Sequence, residues 1–246
     1  MKSLKPTFFL FFTLLIFTIM SCEDNSDLRN ENVLIKTTKS TGEKLNLTIS
    51  SLSDTIKIDK GDGKLVLFTD KNSGNNFYIS IELLGQKVKI YDTKIISLYC
   101  SEQKITTLEI INCPNLKYLF CQDNQISTLD LSKNMKLIAL QCQKNQLQAI
   151  TLGYLSTSFE YLNISDNKLD ACSLNDIYRK LPTDLSRIVP LYVSHISENN
   201  SNDVLGSNVS IANSKNWFVC QKSDTASFFL LEKGFTIDGN KCNVKQ

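Results

Sequence analysis

The chain repeats itself, and the period of that repeat constrains the fold more than any other feature. Leu98, Leu119, Leu140 and Leu162 follow one another at steps of 21, 21 and 22 residues. Aligned on them, the segments read ISLYCSEQKI, LKYLFCQDNQI, LIALQCQKNQL and FEYLNISDNKL. In the second copy Leu116, Leu119, Cys121, Asn124 and Ile126 hold the five recurring positions. Leu137, Leu140, Cys142, Asn145 and Leu147 repeat them, as do Phe159, Leu162, Ile164, Asn167 and Leu169. Ile95, Leu98, Cys100, Gln103 and Ile105 form a first copy that departs at Gln103. A unit this short cannot cover its own apolar side, so the copies are stable only as a stack whose atypical ends act as caps.

Each copy places one short strand on a parallel sheet with alternate residues inward. The recurring Asn124, Asn145 and Asn167 suit an inward ladder, because an amide carries both donor and acceptor for turn backbone groups. A second unit recurs at nearly the same period: Leu108-Glu109-Ile110, Leu129-Asp130-Leu131 and Ile150-Thr151-Leu152, with Val88-Lys89-Ile90 as an earlier copy. The LxxLxCxxNxL strands and the LDLSKN segment at 129–134 resemble the Cys-containing leucine-rich-repeat surface lipoproteins of Gram-negative bacteria, and internalin-like adhesins more distantly. The resemblance covers about residues 86–170. The expected architecture is an α/β-type solenoid, mostly β: a short leucine-rich-repeat stack with an N-terminal antiparallel β unit and a C-terminal α/β cap.

The flanks support that division. Residues 33–85 alternate in the strand manner over Leu45–Ile49, Ile56–Ile58, Leu65–Leu67 and Tyr78–Ile81, separated by Gly- and Asp-bearing turns, and read as a small antiparallel β unit. Its IDKGDGK at 58–64 resembles the IDWGDG turn of the same family, with Lys60 in place of Trp. Asp59 and Asp62 lack the oxygen set of an EF-hand, and a Gly-supported hairpin accounts for them. In residues 171–246, Ser173 is the expected cap of a helix carrying Leu174, Ile177, Tyr178 and Leu181, which Pro182 ends. Leu191–Val193 and Trp217–Val219 read as strands, with a helical turn at Ser210–Lys215; SIANSKNWFV resembles the closing segment of the family. Phe228–Ile237 looks like another such unit.

The N-terminus reads as an export signal. Lys2 and Lys5 precede an apolar run of 13 residues, Phe8–Met20, which suits a signal-peptide core and is short for a membrane span. Ile19-Met20-Ser21-Cys22 resembles a lipobox, which implies removal of residues 1–21 and acyl chains on the thioether and amine of Cys22, anchoring the chain to a membrane; an ordinary secretory signal is the alternative. The polar residues 22–32 are then a flexible tether. Acidic residues just after Cys22 resemble a surface-export signal, which implies an outer-membrane lipoprotein displayed at the cell surface. Without Lys2 and Lys5 the chain balances 25 basic against 25 acidic residues, so no basic field exists for nucleic acid.

Nothing in the pattern spells out catalysis. His195 is the single histidine, beside a Ser/Asn-rich stretch, and reads as a solvated loop residue; no G-x-S-x-G, Walker, Rossmann or HExxH motif accompanies it. No catalytic residue, cofactor or metal is expected. Cys100, Cys121 and Cys142 fall in one inward column and are expected as buried thiols, since three ligands in a line do not make a tetrahedron. Cys220 and Cys242 are a candidate disulfide.

Binding is expected on the strand side, where outward residues line a concave face. The columns are Ser97, Tyr118, Ala139, Tyr161; then Tyr99, Phe120, Gln141, Asn163; then Ser101, Gln122, Gln143, Ser165. Tyr99, Tyr118, Phe120 and Tyr161, flanked by Gln122, Gln141, Gln143 and Asn163, form an aromatic group among amides, the composition that favours a protein or glycan ligand. The expected function is adhesion or host recognition. Alternatives are a periplasm-facing structural or envelope-assembly lipoprotein, or an enzyme with its site in the C-terminal region.

Overall fold

The computed structural model describes residues 31–69, 75–183, 189–195, 202–204 and 206–222. The signal peptide, Cys22 and most of the tether, the Phe228–Ile237 unit and Cys242 lie outside these, as do the side chains of His195 and Cys220.

Among the described residues six strands precede the repeats: β1 (Val33–Thr37), β2 (Lys44–Ser51), β3 (Thr55–Asp59), β4 (Leu65–Thr69), β5 (Asn76–Glu82) and β6 (Lys87–Tyr91). The repeats alternate face strands β7 (Ile95–Tyr99), β9 (Tyr118–Phe120), β11 (Ala139–Gln141) and β13 (Tyr161–Asn163) with return strands β8 (Ile105–Ile110), β10 (Thr128–Leu131) and β12 (Ala149–Leu152). After them come α1 (Ala171–Lys180), β14 (Val189–His195), α2 (Ser210–Asn213) and β15 (Trp217–Lys222). The protein is mostly β, and its repeats stack as a solenoid.

One eight-stranded sheet runs through the described chain in the order β15-β14-β13-β11-β9-β7-β2-β5. From β7 to β15 its neighbours pair in parallel, whereas β2 pairs antiparallel with both β5 and β7. The four period-defining leucines stand in exact register: Leu98 opposite Leu119, Leu119 opposite Leu140, Leu140 opposite Leu162. The row extends beyond them, through Ile49 to Phe77 at one end and through Leu191 to Val219 at the other. All eight side chains are buried. Each buried leucine supplies about 1.5–3 kcal/mol of transfer free energy, which is why the spacing of these residues dictates the stacking.

The sheet therefore continues across positions 85 and 170 without a break. The strands of 33–85 do not make a separate sheet. β2 and β5 extend the repeat sheet, while β1, β3, β4 and β6 join β8 in a five-stranded sheet ordered β4-β3-β6-β1-β8. Val88-Lys89-Ile90 is accordingly not a stacked copy of the return strand. β1 lies between β6 and β8, antiparallel to both, and takes the place a parallel neighbour would occupy. The segment VLIKT shows little alternation because four of its five residues are buried. The IDKGDGK segment is a hairpin turn between β3 and β4: Asp59 Oδ1 accepts from Gly61 and Gly63 N–H at 2.8 and 2.9 Å. Gly61 has φ +108°, and a Cβ there would stand 2.6 Å from the backbone nitrogen of Gly85, so glycine is required.

On the side of the stack away from the long sheet, β10 and β12 pair in parallel and α1 packs against β12. The cap of α1 is Asp170 and not Ser173. The Asp170 side chain accepts from Ser173 N–H at 2.7 Å, and that backbone hydrogen bond holds its carboxyl below the usual range. Ser173 Oγ instead donates to the carbonyl of Gln148, tying the helix to the last return strand. Leu174, Ile177 and Tyr178 form the buried stripe. Lys215 Nζ donates to the carbonyls of Arg179 and Leu181, closing the C-terminal end of α1.

Candidate functional site

The two sides of each face strand are built differently, beginning with the interior. Asn124, Asn145 and Asn167 form the expected ladder. Asn145 Oδ1 accepts from Ile126 N–H at 2.9 Å, and its Nδ2 donates to the carbonyls of Cys121 and Cys142 at 3.0 and 3.1 Å. Asn124 and Asn167 repeat this arrangement one copy to either side. The residue before each, Asp123, Lys144 and Asp166, takes φ of 56°, 53° and 53°. These left-handed residues turn the chain so that the amide points back inside.

A fourth rung is Asn202, whose Oδ1 accepts from Leu169 N–H and whose Nδ2 donates to the carbonyls of Ile164 and Val193. It stands nine residues after Val193, whereas Asn167 stands three after Ile164, so the insertion conceals it in the sequence. Gln103 departs from the template for a structural reason. Its longer side chain reaches the antiparallel neighbour β2 and the segment before it, where Oε1 accepts from Asn46 N–H and Lys39 Nζ, both at 2.9 Å.

The thiols of Cys100, Cys121 and Cys142 are free and buried beside these rungs. Burial pushes all three up, Cys121 to about 12. Cys113 is also a buried free thiol, pushed up to about 12 chiefly by burial, and Cys172 on α1 is exposed. Among the described residues no three His, Cys, Asp or Glu side chains gather as a metal-ligand group. His195 ends β14, opposite Lys222 of β15.

The outer face carries the residues expected to bind. Strand register aligns one row across it: Tyr78, Thr48, Tyr99, Phe120, Gln141, Asn163 and Tyr192. Ser97, Tyr118, Ala139 and Tyr161 form the row beside it. The sequence reading places Tyr99, Phe120, Gln141 and Asn163 together correctly and misses Thr48, Tyr78 and Tyr192. A signal for Tyr192 exists, since Leu191-Tyr192-Val193-Ser194 echoes Leu98-Tyr99-Cys100-Ser101. Tyr78 and Thr48 join the row only through the β5-β2-β7 pairing, which no local pattern states.

Exposure along this face differs from the expectation of open side chains throughout. Tyr99 is exposed and Tyr118, Tyr161 and Gln122 are half-buried, but Phe120, Gln141, Gln143 and Asn163 are buried. Phe120 lies against Tyr99 in a parallel stack, centroids 4.6 Å apart and planes 8° apart, so each ring covers one face of the other. Asn163 folds its Oδ1 onto the N–H and hydroxyl of Ser165. Tyr161 and Tyr192 meet at 5.7 Å, and burial, then the neighbouring phenol of Tyr192, pushes the Tyr161 hydroxyl well above its ordinary value. The Tyr99 hydroxyl is raised by burial and by the phenols of Tyr118 and Tyr78.

The glutamines of this face are not saturated as the rungs are. Gln122, Gln141 and Gln143 each bury a side-chain oxygen that has no hydrogen-bond partner among the described residues. Amide oxygens buried without a partner cost on the order of 1–3 kcal/mol each; Asn134 Oδ1, in the turn after β10, is bare in the same way. Comparison with protein-family models, with curated proteins and with solved structures found no match.

Proposed function

We propose that this chain is a membrane-anchored leucine-rich-repeat binding protein that recognises a protein or glycan ligand with the outer face of its long sheet, in adhesion or host interaction at the cell surface. The observation that carries the reading is the register that sets Tyr78, Tyr99, Phe120 and Tyr192 in one row of that face, with Tyr118 and Tyr161 beside it. The interior side of the same strands spends its rung amides on the backbone. The stacked Tyr99 and Phe120 rings, with the half-buried Tyr118 and Tyr161 beside them, give the face the aromatic character of a recognition surface.

The repeats' stacking in register supports the leucine-rich-repeat reading. The lipobox at Ile19–Cys22 supports an acyl anchor on Cys22, and the acidic residues after it support outward display in the outer membrane. The protein acts by binding and not by catalysis. Metabolic labelling with palmitate tests the anchor: label enters the native chain and is lost in Cys22→Ala. Protease shaving of intact cells tests display, and protection of the protein would favour a periplasm-facing envelope role. The face itself is tested by ligand capture with the full chain. A protein ligand retained by the native protein is lost by the double variant Tyr118→Ala, Tyr161→Ala, and equal capture by both would remove this part of the face from the reading.

A further inference from the structure

The long sheet carries a pocket of about 420 Å³ at its N-terminal end, over β2, β5 and β7. Its lining includes Asn46, Thr48, Tyr78, Ser80, Tyr99 and Ser101, and no charged side chain contributes.

The register explains its shape. Thr48 pairs directly with Tyr78 on one side and with Tyr99 on the other. Neighbouring strands lie about 4.8 Å apart, so the two tyrosines stand about 10 Å apart with a short side chain between them. The Tyr99 ring is upright: it stacks on Phe120 of the next strand at 4.6 Å, close to the strand spacing, so its plane faces along the sheet. Phe120 covers one face of Tyr99 and the other is turned over Thr48 toward Tyr78. Tyr78 is 79% exposed, among the most exposed large hydrophobic side chains of the described residues.

The edge of this slot is polar and uncharged. Ser80 sits opposite Asn46, two residues along from the Tyr78 and Thr48 pair, and Ser101 lies two residues past Tyr99. Hydroxyl, amide and hydroxyl thus flank an aromatic-walled gap. Apolar ring faces with convergent neutral donors and acceptors on one edge match a pyranose ring, whose C–H faces stack on aromatics and whose hydroxyls pair around its rim.

We propose that this slot is a subsite for a neutral sugar ring, with Tyr78 and Tyr99 as its walls and Asn46, Ser80 and Ser101 as its hydrogen-bonding edge. The assignment rests on the recognition reading above and names the ligand class for one end of the face. It places the sugar site two strands before the first Asn-bearing repeat.

Affinity electrophoresis of the full chain tests it in gels holding dextran, xyloglucan, galactomannan or yeast mannan, with polygalacturonate and heparin as anionic controls. At least one neutral polysaccharide retards the native protein, and Tyr78→Ala weakens that binding tenfold or more. Thr48→Tyr fills the gap and weakens it to a similar extent. Circular dichroism melts show both variants folded, since Tyr78 is exposed and Thr48 half-buried. Retardation by none of the neutral polymers, by the anionic ones alone, or equally in native and Tyr78→Ala proteins overturns the proposal. The Tyr118→Ala, Tyr161→Ala variant keeps the sugar binding, so loss of the slot and loss of the wider recognition face are told apart.

Discussion

The interior and outer sides of the same face strands solve the problem of buried amides in opposite ways. Inside, Asn124, Asn145, Asn167 and Asn202 bond across neighbouring coils, each oxygen taking a backbone N–H and each nitrogen giving to two or three carbonyls. Outside, Gln122, Gln141 and Gln143 hold oxygens that accept from nothing among the described residues. The same functional group is structural on one side and uncommitted on the other. Burial alone therefore does not distinguish amides that tie the coils together from amides that do not, and hydrogen-bond accounting does.

The difference is open to measurement. The largest loss is expected for Leu140→Ala, which empties the centre of the apolar row and costs about 3–5 kcal/mol in denaturant unfolding. Asn145→Ala follows, at about 2–4 kcal/mol, because it strands one N–H and several carbonyls in the interior. If Asn145→Ala costs no more than Gln141→Ala, the two sides are not distinct.

The buried thiols come next. Each stays protonated in the folded protein to a higher pH than in the unfolded chain, so stability is complete below about pH 9 and falls as pH rises toward about 12. A thiol such as Cys121 withdraws about 1.4 kcal/mol per pH unit across that window. Cys121→Ala flattens this alkaline slope in pH-dependent urea titrations, and an unchanged slope would contradict it. The smallest stability effect is expected for Gln141→Leu, within about 1 kcal/mol of native or slightly stabilising, because it removes an unmet acceptor of similar volume. Set beside Asn145→Ala, this substitution measures what a fully bonded rung amide contributes beyond its volume.

Legibility followed the range of the interactions. Leu98, Leu119, Leu140 and Leu162, the cysteine column and three of the four Asn rungs were readable because a repeat writes its contacts at a fixed separation. Asn202 was not, because an insertion moved it out of phase while its partners stayed in place. The cap at Asp170 is not legible beside Ser173, since both residue types suit that role and only backbone geometry chooses between them. The candidate face was half legible. Its central columns follow from alternation, but their burial depends on ring stacking and on side chains folding back, which spacing does not encode.

The amino-acid order by itself determined the period, the inward apolar row, the buried thiols and the ladder that ties one coil to the next. Tertiary structure alone decided where the first strands go. An alternating segment such as Asn76–Glu82 states which residues share a side but not which sheet edge it joins, because that pairing is between residues far apart in the chain. Through that choice Tyr78 arrives two strands from Tyr99, and the slot between them exists.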